Sequence, residues 1–228
     1  MTDEHLTLHA WLSPAFPIGA FSYSHGLEFA HEAGVVGDRE SLRRWIEGIL
    51  DYGAGRADAI IMAAVWRAAK EGDGAALRDM AELASSLRGS AELMHENANQ
   101  GQAFLDTVRA AWPRPGLDEF DADMARSGIS LALPVAVGVA AAAHGIALEL
   151  LLPLYLQAFA ANLVSAGVRL IPLGQTDGQR ITSALLPTVS RVAETALGAD
   201  PNDLGASAIA VDLCAMKHET QYTRLFRS

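Results

Sequence analysis

The chain is predicted to be all-α: a single bundle of about eight to ten helices spanning residues 1–228, with an extended N-terminal arm and a C-terminal docking tail. Three observations predict this class. Apolar residues recur at the spacing of helix faces through most of the chain. No segment alternates apolar and polar residues between hairpin turns. Hydrophobic residues make up 50% of the 228, which is enough for one sizeable core.

Helices are predicted in the first half from apolar faces bounded by capping residues. The clearest face repeats every three or four positions and consists of Leu42, Trp45, Ile46, Ile49 and Leu50. Asp38 precedes it as an expected N-cap, and Gly53 follows it as an expected stop. Asp73 is expected to cap a later helix, and a longer helix is expected over about 90–111. The run 112–116, which holds two prolines and a glycine, should end that helix.

The second half is richer in alanine, and its helices are predicted at roughly 129–143, 147–167, 176–197 and 203–221. Thr176 or Asp177 is expected to cap the third of these, and Asp200, which a proline follows, is expected to cap the fourth. Pro134 and Pro187 should lie in first turns or produce kinks. The run 129–143 is too short to span a membrane, so it is interpreted as a buried core helix.

Composition excludes several classes of function. The formal net charge is −10, which disfavours binding to nucleic acid or to an anionic membrane surface. The single cysteine rules out an intrachain disulfide framework and fits a reducing compartment. The first five residues lack the basic and apolar regions of a secretion signal. These features predict a cytoplasmic protein that binds neither nucleic acid nor membrane.

Two histidine-containing pairs have the spacing of metal ligands on one helix face. His5 and His9 are four residues apart, and so are Cys214 and His218. Neither pair has an obvious third or fourth ligand nearby in the sequence. The first pair is interpreted as a solvated helix turn and Cys214 as a small core residue, so no metal site is predicted.

A polar, glycine-bearing segment at 171–180 leads into a predicted helix. It lacks the Gly-Lys-Ser/Thr ending of a nucleotide-binding loop. Helix capping explains it best, but Gln175, Asp177 and Arg180 are also candidates for a small-ligand pocket, or for contact with a partner. Elsewhere Ser22, Ser24 and His25 are adjacent, but Gly-x-Ser-x-Gly is absent, so no catalytic residues are predicted.

The two ends of the chain are the most unusual segments. Residues 218–228 combine two aromatics, two arginines and a leucine on an otherwise acidic chain, and these are residue types that carry binding energy at interfaces. Residues 13–28 hold two prolines, two glycines that let a backbone approach closely, and aromatic side chains. The tail is interpreted either as a docking element or as a segment that folds back onto its own core. The N-terminal stretch is interpreted as a rigid connector with a contact surface.

Three stretches, 13–28, 161–180 and 216–228, together resemble the urease accessory protein UreF family. They occur in the family's order at both ends and in the middle, so the resemblance covers nearly the whole chain. One departure is that Leu131, Ala132 and Leu133 precede Pro134, where many relatives carry a histidine and an aromatic residue.

The resemblance implies an all-α homodimer without catalytic activity. Such proteins join a UreD/UreH-type accessory protein and the nickel-carrying GTPase UreG, and they couple GTP hydrolysis to nickel insertion into apo-urease. By similarity the tail orders when the UreD/UreH-type partner binds. No cofactor is expected to bind stably, because nickel passes through the assembled complex. The alternatives are a direct nickel-binding metallochaperone and a helical enzyme that binds a small ligand near Gln175, Asp177 and Arg180.

The positions expected to contact partners, from the resemblance and from residue type, are Phe21, Tyr23, Glu28, Arg169, Gln175, Arg180, His218, Glu219, Tyr222, Arg224, Leu225, Phe226 and Arg227. Arg224 is the tail residue expected to matter most. By similarity, Glu28, Arg169 and His218 are expected to face the GTPase or to modulate its hydrolysis, and Phe21 is expected to support the same surface.

Overall fold

The computed structural model describes residues 3–205 and 207–228, and within them its regular secondary structure is helical, with no β-strand. In chain order the helices are α1 (Asp3–Trp11), α2 (Leu27–Glu32), α3 (Arg39–Tyr52), α4 (Ala54–Glu71), α5 (Gly74–Ser86), α6 (Ala91–Ala111), α7 (Leu117–Ser127), α8 (Leu133–Ala143), α9 (Leu148–Leu170), α10 (Gln175–Gly198) and α11 (Ile209–His218). Among the described residues, ten of these helices have nine residues or more, and α2 has six. The predicted all-α class is confirmed.

The centre of the fold is formed by α4, which packs on α8, α9 and α10, and by the packing of α9 on α10. Almost every residue of α8 is buried, as its continuous run of small apolar residues predicts. α9 has the length and composition of a membrane span. It packs against α3, α4 and α10, however, and buries side chains such as Leu151, Leu156 and Leu163, as the core helix of a bundle does.

Several predicted helix boundaries are confirmed. Asp38 caps α3 by accepting a hydrogen bond from the Ser41 amide at 2.8 Å, and Gly53 ends that helix. Asp73 caps α5 through the amides of its first turn. Pro134 lies in the first turn of α8, where a missing N–H costs nothing. Pro187 instead lies in the interior of α10.

One predicted cap is wrong, and another caps a shorter element than predicted. The N-cap of α10 is Gly174, not Thr176 or Asp177, because the helix already begins at Gln175. Asp200 caps only the short 3-10 turn Pro201–Asp203, and the next helix does not begin until Ile209.

The predicted helix at 203–221 therefore starts later, and residue 206 within it lies outside the described part of the chain. The segment before α11 bonds to other elements as well as within itself. The Ser207 amide donates to the Tyr52 carbonyl at 2.7 Å, and Arg56 Nη1 donates to the Gly205 carbonyl at 3.1 Å. These bonds hold the segment against the junction of α3 and α4.

Candidate partner-binding surface

Two irregular segments meet at one end of the bundle: the arm, defined as residues 13–26, and the tail, defined as residues 219–228. The Ser24 amide donates to the Ser228 carbonyl at 2.9 Å, and the Arg227 amide donates to the Ser22 carbonyl at 2.8 Å. The Ser24 hydroxyl also donates to the Ser228 carbonyl. The tail thus folds back onto the chain, as one of the two interpretations of its composition predicts.

The end of the arm lies in close contact with α11. Gly26 has φ +71°, and a Cβ added to it would lie 2.7 Å from the backbone nitrogen of Ala215. Its neighbour His25 also has a positive φ, 53°, which is uncommon for a residue with a side chain. Only glycine at position 26 lets α2 and α11 pack this closely, and this contact places the start of α2 beneath the tail.

Glu28 organises the tail from beneath. It is 7% exposed, and its carboxylate accepts hydrogen bonds from the backbone amides of Leu225 at 2.6 Å and Phe226 at 2.9 Å. The same carboxylate lies 3.1 Å from His218 Nε2. Hydrogen bonds to a charged acceptor are roughly twice as strong as neutral ones, so this carboxylate sets the path of the tail backbone.

His218 is fully buried at the end of α11 and lies between two carboxylates. Its Nε2 faces Glu28, and its Nδ1 lies 2.6 Å from Glu92 Oε2 on α6. Arg224 from the tail donates to the other oxygen of Glu92. Each ring nitrogen of His218 thus lies within hydrogen-bond distance of a different carboxylate. The network joins α2, α6, α11 and the tail.

The tail also closes the start of α6. Ser90 is the N-cap and accepts from the Leu93 amide at 3.2 Å. Glu219 accepts from the Ala91 amide at 2.7 Å. A helix start leaves its first amides without intrahelical partners, and a carboxylate there is favoured by the helix dipole. Glu219 therefore anchors the beginning of the tail.

Arg169 at the end of α9 connects the arm to the tail. Its guanidinium lies 3.8 Å from the centroid of the Phe21 ring and 4.4 Å from that of the Phe226 ring. It also donates to the Phe21 carbonyl at 2.9 Å. Burial lowers the pKa of this guanidinium from its ordinary value. The two ring contacts form a clamp, each worth about 0.5–2 kcal/mol in general.

The last described residue of the tail reaches a buried carboxyl group. Ser228 Oγ donates to Glu96 Oε2 at 2.7 Å, and Gln100 donates to Oε1 at 3.1 Å. Burial raises the pKa of Glu96 to about 7. His25 Nδ1 lies 3.3 Å from Glu96, but the contact is not an ion pair. Burial, with a smaller contribution from Arg88, lowers the pKa of His25 to about 3, so the ring is neutral.

Large apolar side chains are exposed beside this network. Those on the arm, α11 and the tail are Phe21, Ile209, Leu213, Met216, Tyr222 and Leu225. Tyr222 is fully exposed, and Leu225 is 62% exposed. Arg224 keeps part of its side chain in solvent and Arg227 is exposed. Clustered apolar side chains with arginines beside them are typical of a protein–protein contact.

Most of the residues predicted to contact partners are brought together here, but four of them lie beneath the surface. Tyr23, Glu28, His218 and Phe226 are all less than 9% exposed. In this fold Glu28 and His218 do not face outward, because their polar atoms are taken up by the tail and by Glu92. They position the tail, whose outward face is presented by Tyr222, Arg224, Leu225 and Arg227.

Gln175 and Arg180 lie outside this network, at the start of α10. Arg180 pairs with Asp177 at 3.0 Å, and Asp177 also lies 3.5 Å from Arg39. These contacts connect α10 with α3. A cavity of about 290 Å³ lies instead between the arm and α6, α8 and α9, and other residues line it. The alternative of a ligand pocket built around Gln175, Asp177 and Arg180 is therefore not supported.

The four weak metal-ligand candidates do not form a cluster. His5 and His9 lie exposed on α1. Cys214 is buried, and burial raises the pKa of its thiol, which disfavours the thiolate that binds metals. His218 is bonded to two carboxylates. Within residues 3–205 and 207–228, no group of three or more histidines, cysteines and acids is placed to hold a metal ion.

Sequence reasoning missed Glu92 and Glu96, which hold Arg224 and Ser228. The two glutamates are four residues apart and share a helix face with Leu93 and Gln100. An acid within a buried stripe is a usable signal, because a buried carboxylate requires partners. Those partners come from a segment more than 120 residues away, which no local pattern indicates.

The chain is similar to known proteins along nearly its whole length. The family model described as UreF matches residues 36–186. A urease accessory protein UreF from Rhodopseudomonas palustris (strain HaA2) is 51% identical over 221 residues, covering 97% of this chain and 92% of the relative. Proteins of the same name from Granulibacter bethesdensis and Xanthobacter autotrophicus are 50% and 49% identical, covering 97% and 98% of this chain and 92% and 90% of the relatives.

Proposed function

The chain belongs to the UreF family of urease accessory proteins, and we propose that it acts in urease maturation as a non-catalytic scaffold. In this proposal it joins a UreD/UreH-type partner and recruits the nickel-carrying GTPase UreG to apo-urease. GTP hydrolysis by that GTPase is then coupled to nickel insertion. The scaffold is cytoplasmic and homodimeric, and nickel passes through the assembled complex without stable binding to this chain.

One observation supports the proposal most: the tail is held as a shaped surface by bonds to two separate helices, α2 and α6. Glu28 on α2 and Glu92 on α6 bond the tail, and Glu219 of the tail accepts from the Ala91 amide at the start of α6. The exposed side chains of Tyr222 and Leu225 face solvent. Buried polar networks of this kind specify one arrangement of a segment. Because these buried polar side chains hold the tail in one conformation, its exposed face has a defined shape that suits it to binding other proteins.

The GTPase supplies phosphate and magnesium chemistry of its own, so the scaffold needs only to bind one conformation of that partner better than another. Affinity should come from the exposed aromatic and arginine anchors instead of from total contact area. Arg224 is placed to contribute both affinity and selectivity for one conformation of the partner. Glu92 orients its guanidinium, and part of the side chain stays accessible.

Reconstitution with purified components tests the function. Apo-urease is incubated with nickel, GTP, UreG and the UreD/UreH-type partner, with and without this chain. We expect urease activity to appear only when the chain is present, and a chain truncated after Glu219 to fail. Equal activation without the chain would overturn the proposal. So would tight stoichiometric uptake of nickel by the isolated chain in equilibrium dialysis, since that result indicates a metallochaperone.

A further inference from the structure

The cavity beneath the arm has the size and wall of a small-molecule site. Its volume is about 290 Å³, near the lower end of the range for ligand pockets. The apolar part of its lining includes Trp11, Phe16, Leu93, Phe104, Val137 and Phe159. The arm forms one side, and Ala161 of α9, which is partly exposed, also lines the cavity. An aromatic or alkyl group would be sheltered from water here.

Polar side chains line another part of the same cavity. Arg88 and Asp58 form a buried ion pair at 2.6 Å, and the Tyr155 hydroxyl donates to the second oxygen of Asp58 at 3.0 Å. The charges of Arg88 and Asp58 balance each other. Among the described lining residues, Arg88 is the one that carries a positive charge, and that charge is already paired with Asp58.

Glu96 is the ionisable lining group whose charge has no such partner. It is 4% exposed, and its hydrogen bonds come from the neutral groups of Ser228 and Gln100. The nearby His25 ring is uncharged, because burial lowers its pKa to about 3. A carboxylate has room for about four hydrogen bonds, so Glu96 can accept more. When Glu96 is ionised, the cavity carries an uncompensated negative charge.

His25 gives a second indication of a ligand. The residue is 8% exposed, and its Nδ1 is buried without a hydrogen-bond partner among the described residues. Its backbone has φ 53°, in the region that non-glycine residues avoid. The unpaired nitrogen lies 3.3 Å from Glu96 Oε1, so both groups occupy the same polar part of the cavity. A donor or acceptor on a bound molecule would satisfy this nitrogen.

We propose that this cavity binds a small organic cation, with its ammonium or guanidinium head on Glu96 and its apolar body against the aromatic wall. A cation supplies the missing charge, and aromatic faces attract cations as well as apolar groups. An anion would meet two carboxylates, and a neutral apolar molecule would leave Glu96 without a counter-charge. The site shares Phe21 with the partner-binding surface and is also connected to it through Ser228, which bonds to Glu96.

Benzylammonium and phenylguanidinium serve as probes, and benzyl alcohol serves as the uncharged counterpart. Binding is measured by isothermal titration calorimetry on the full chain at pH 8, where Glu96 is ionised. We expect saturable one-to-one binding of a cationic probe, at least about tenfold tighter than that of benzyl alcohol, which corresponds to about 1.4 kcal/mol. Equal binding of benzyl alcohol, or no saturable binding of either cation, would overturn the proposal.

Two substitutions test separately the charge of Glu96 and the volume of the cavity. Glu96→Gln should weaken binding of the cations by about tenfold or more, while the exposed control Glu149→Gln should leave it unchanged. Ala161→Trp should abolish binding of all probes by filling the cavity while leaving Glu96 in place. Circular dichroism confirms that each variant is folded. Undiminished cation binding by folded Glu96→Gln, or by folded Ala161→Trp, contradicts the proposed site.

Discussion

Glu28 and His218 are 190 positions apart in the chain, and their side chains meet at 3.1 Å beneath the tail. Glu28 lies at the start of the bundle, on the short helix α2, and His218 is the last residue of α11. Because Glu28 also binds the amides of Leu225 and Phe226, the contact joins the start of the chain to its tail. The tail is therefore bonded to the helix bundle and is not a loose appendage.

Replacing Glu28 by glutamine should loosen the tail. The amide side chain retains one acceptor but turns its NH₂ group toward a backbone amide or toward His218, so one buried donor loses its partner. We expect the free energy of local opening of the tail to fall by about 1–3 kcal/mol. Hydrogen exchange should show faster exchange at Leu225 and Phe226. The exposed Glu82→Gln is the matched control, and unchanged protection in Glu28→Gln would contradict this role.

Replacing Arg169 by lysine should weaken the clamp between arm and tail. Lysine keeps the positive charge but loses the planar guanidinium that stacks on Phe21 and Phe226. We expect the free energy of opening of the tail, measured by hydrogen exchange, to fall by about 1 kcal/mol in Arg169→Lys and by a similar amount in Phe21→Leu. Combining the two substitutions should cost little more than either alone, since they remove the same contact. Full additivity in a double-mutant cycle would show that the clamp is not a unit.

Gly26→Ala tests the close packing of α2 on α11. The added Cβ meets the backbone nitrogen of Ala215 at 2.7 Å and also has an unfavourable φ of +71°. Gly34→Ala has nearly the same φ, +73°, but its Cβ meets open space. We expect the free energy of unfolding, measured in urea, to fall by about 1 kcal/mol in Gly34→Ala and by a further 1–3 kcal/mol or so in Gly26→Ala. Equal losses would show that the contact is not tight.

Glu96 should make stability depend on pH. Its folded pKa of about 7 lies above the ordinary 4.5, so between these values the folded chain holds a proton that the unfolded chain has released. Its contribution therefore decreases as the pH rises from about 4.5 to 7, by about 3 kcal/mol at most. Unfolding of Glu96→Gln at the same pH values provides the reference, and it cancels the opposite effect of His25 below about pH 6.5.

The free energy of unfolding of the native chain, relative to Glu96→Gln, should thus be larger near pH 5 than near pH 8. A difference that stays constant over this range would mean that Glu96 is ionised throughout. A difference that grows as the pH rises would show that the fold lowers the pKa of Glu96 instead of raising it, as a nearby cation would.

Local patterns predicted much of the fold. The capping of α3 by Asp38 and the buried stripe of that helix follow from a few neighbouring residues, and both are confirmed. The caps predicted at Thr176 and Asp177 are wrong, because several residues in a row could serve as the cap of α10. Asp200 is a cap, but of a 3-10 turn instead of the next helix. Tertiary bonds of Gly205 and Ser207 hold the residues that follow this turn, and α11 begins later than predicted.

The site was predicted less completely, for a physical reason. Residue type and motif pointed to Arg224, Phe226 and Arg169, but the residues that they contact lie far away in sequence, on α2, on α6 or on the other irregular segment. Whether Glu28 faces outward or inward depends on the approach of α11 at Gly26, and no periodicity in α2 reveals it. Burial and side-chain direction in such networks follow from the packed fold alone.

The central claim is that the tail recruits partners through Arg224 without being needed for the helical fold. Size-exclusion chromatography of the chain with the UreD/UreH-type partner and UreG tests it, with Arg224→Ala compared against Arg126→Ala, an exposed arginine on α7. We predict that Arg224→Ala no longer co-elutes with UreG, that Arg126→Ala does, and that both keep native far-UV circular dichroism. Normal co-elution of Arg224→Ala, or loss of helicity together with binding, would contradict the claim.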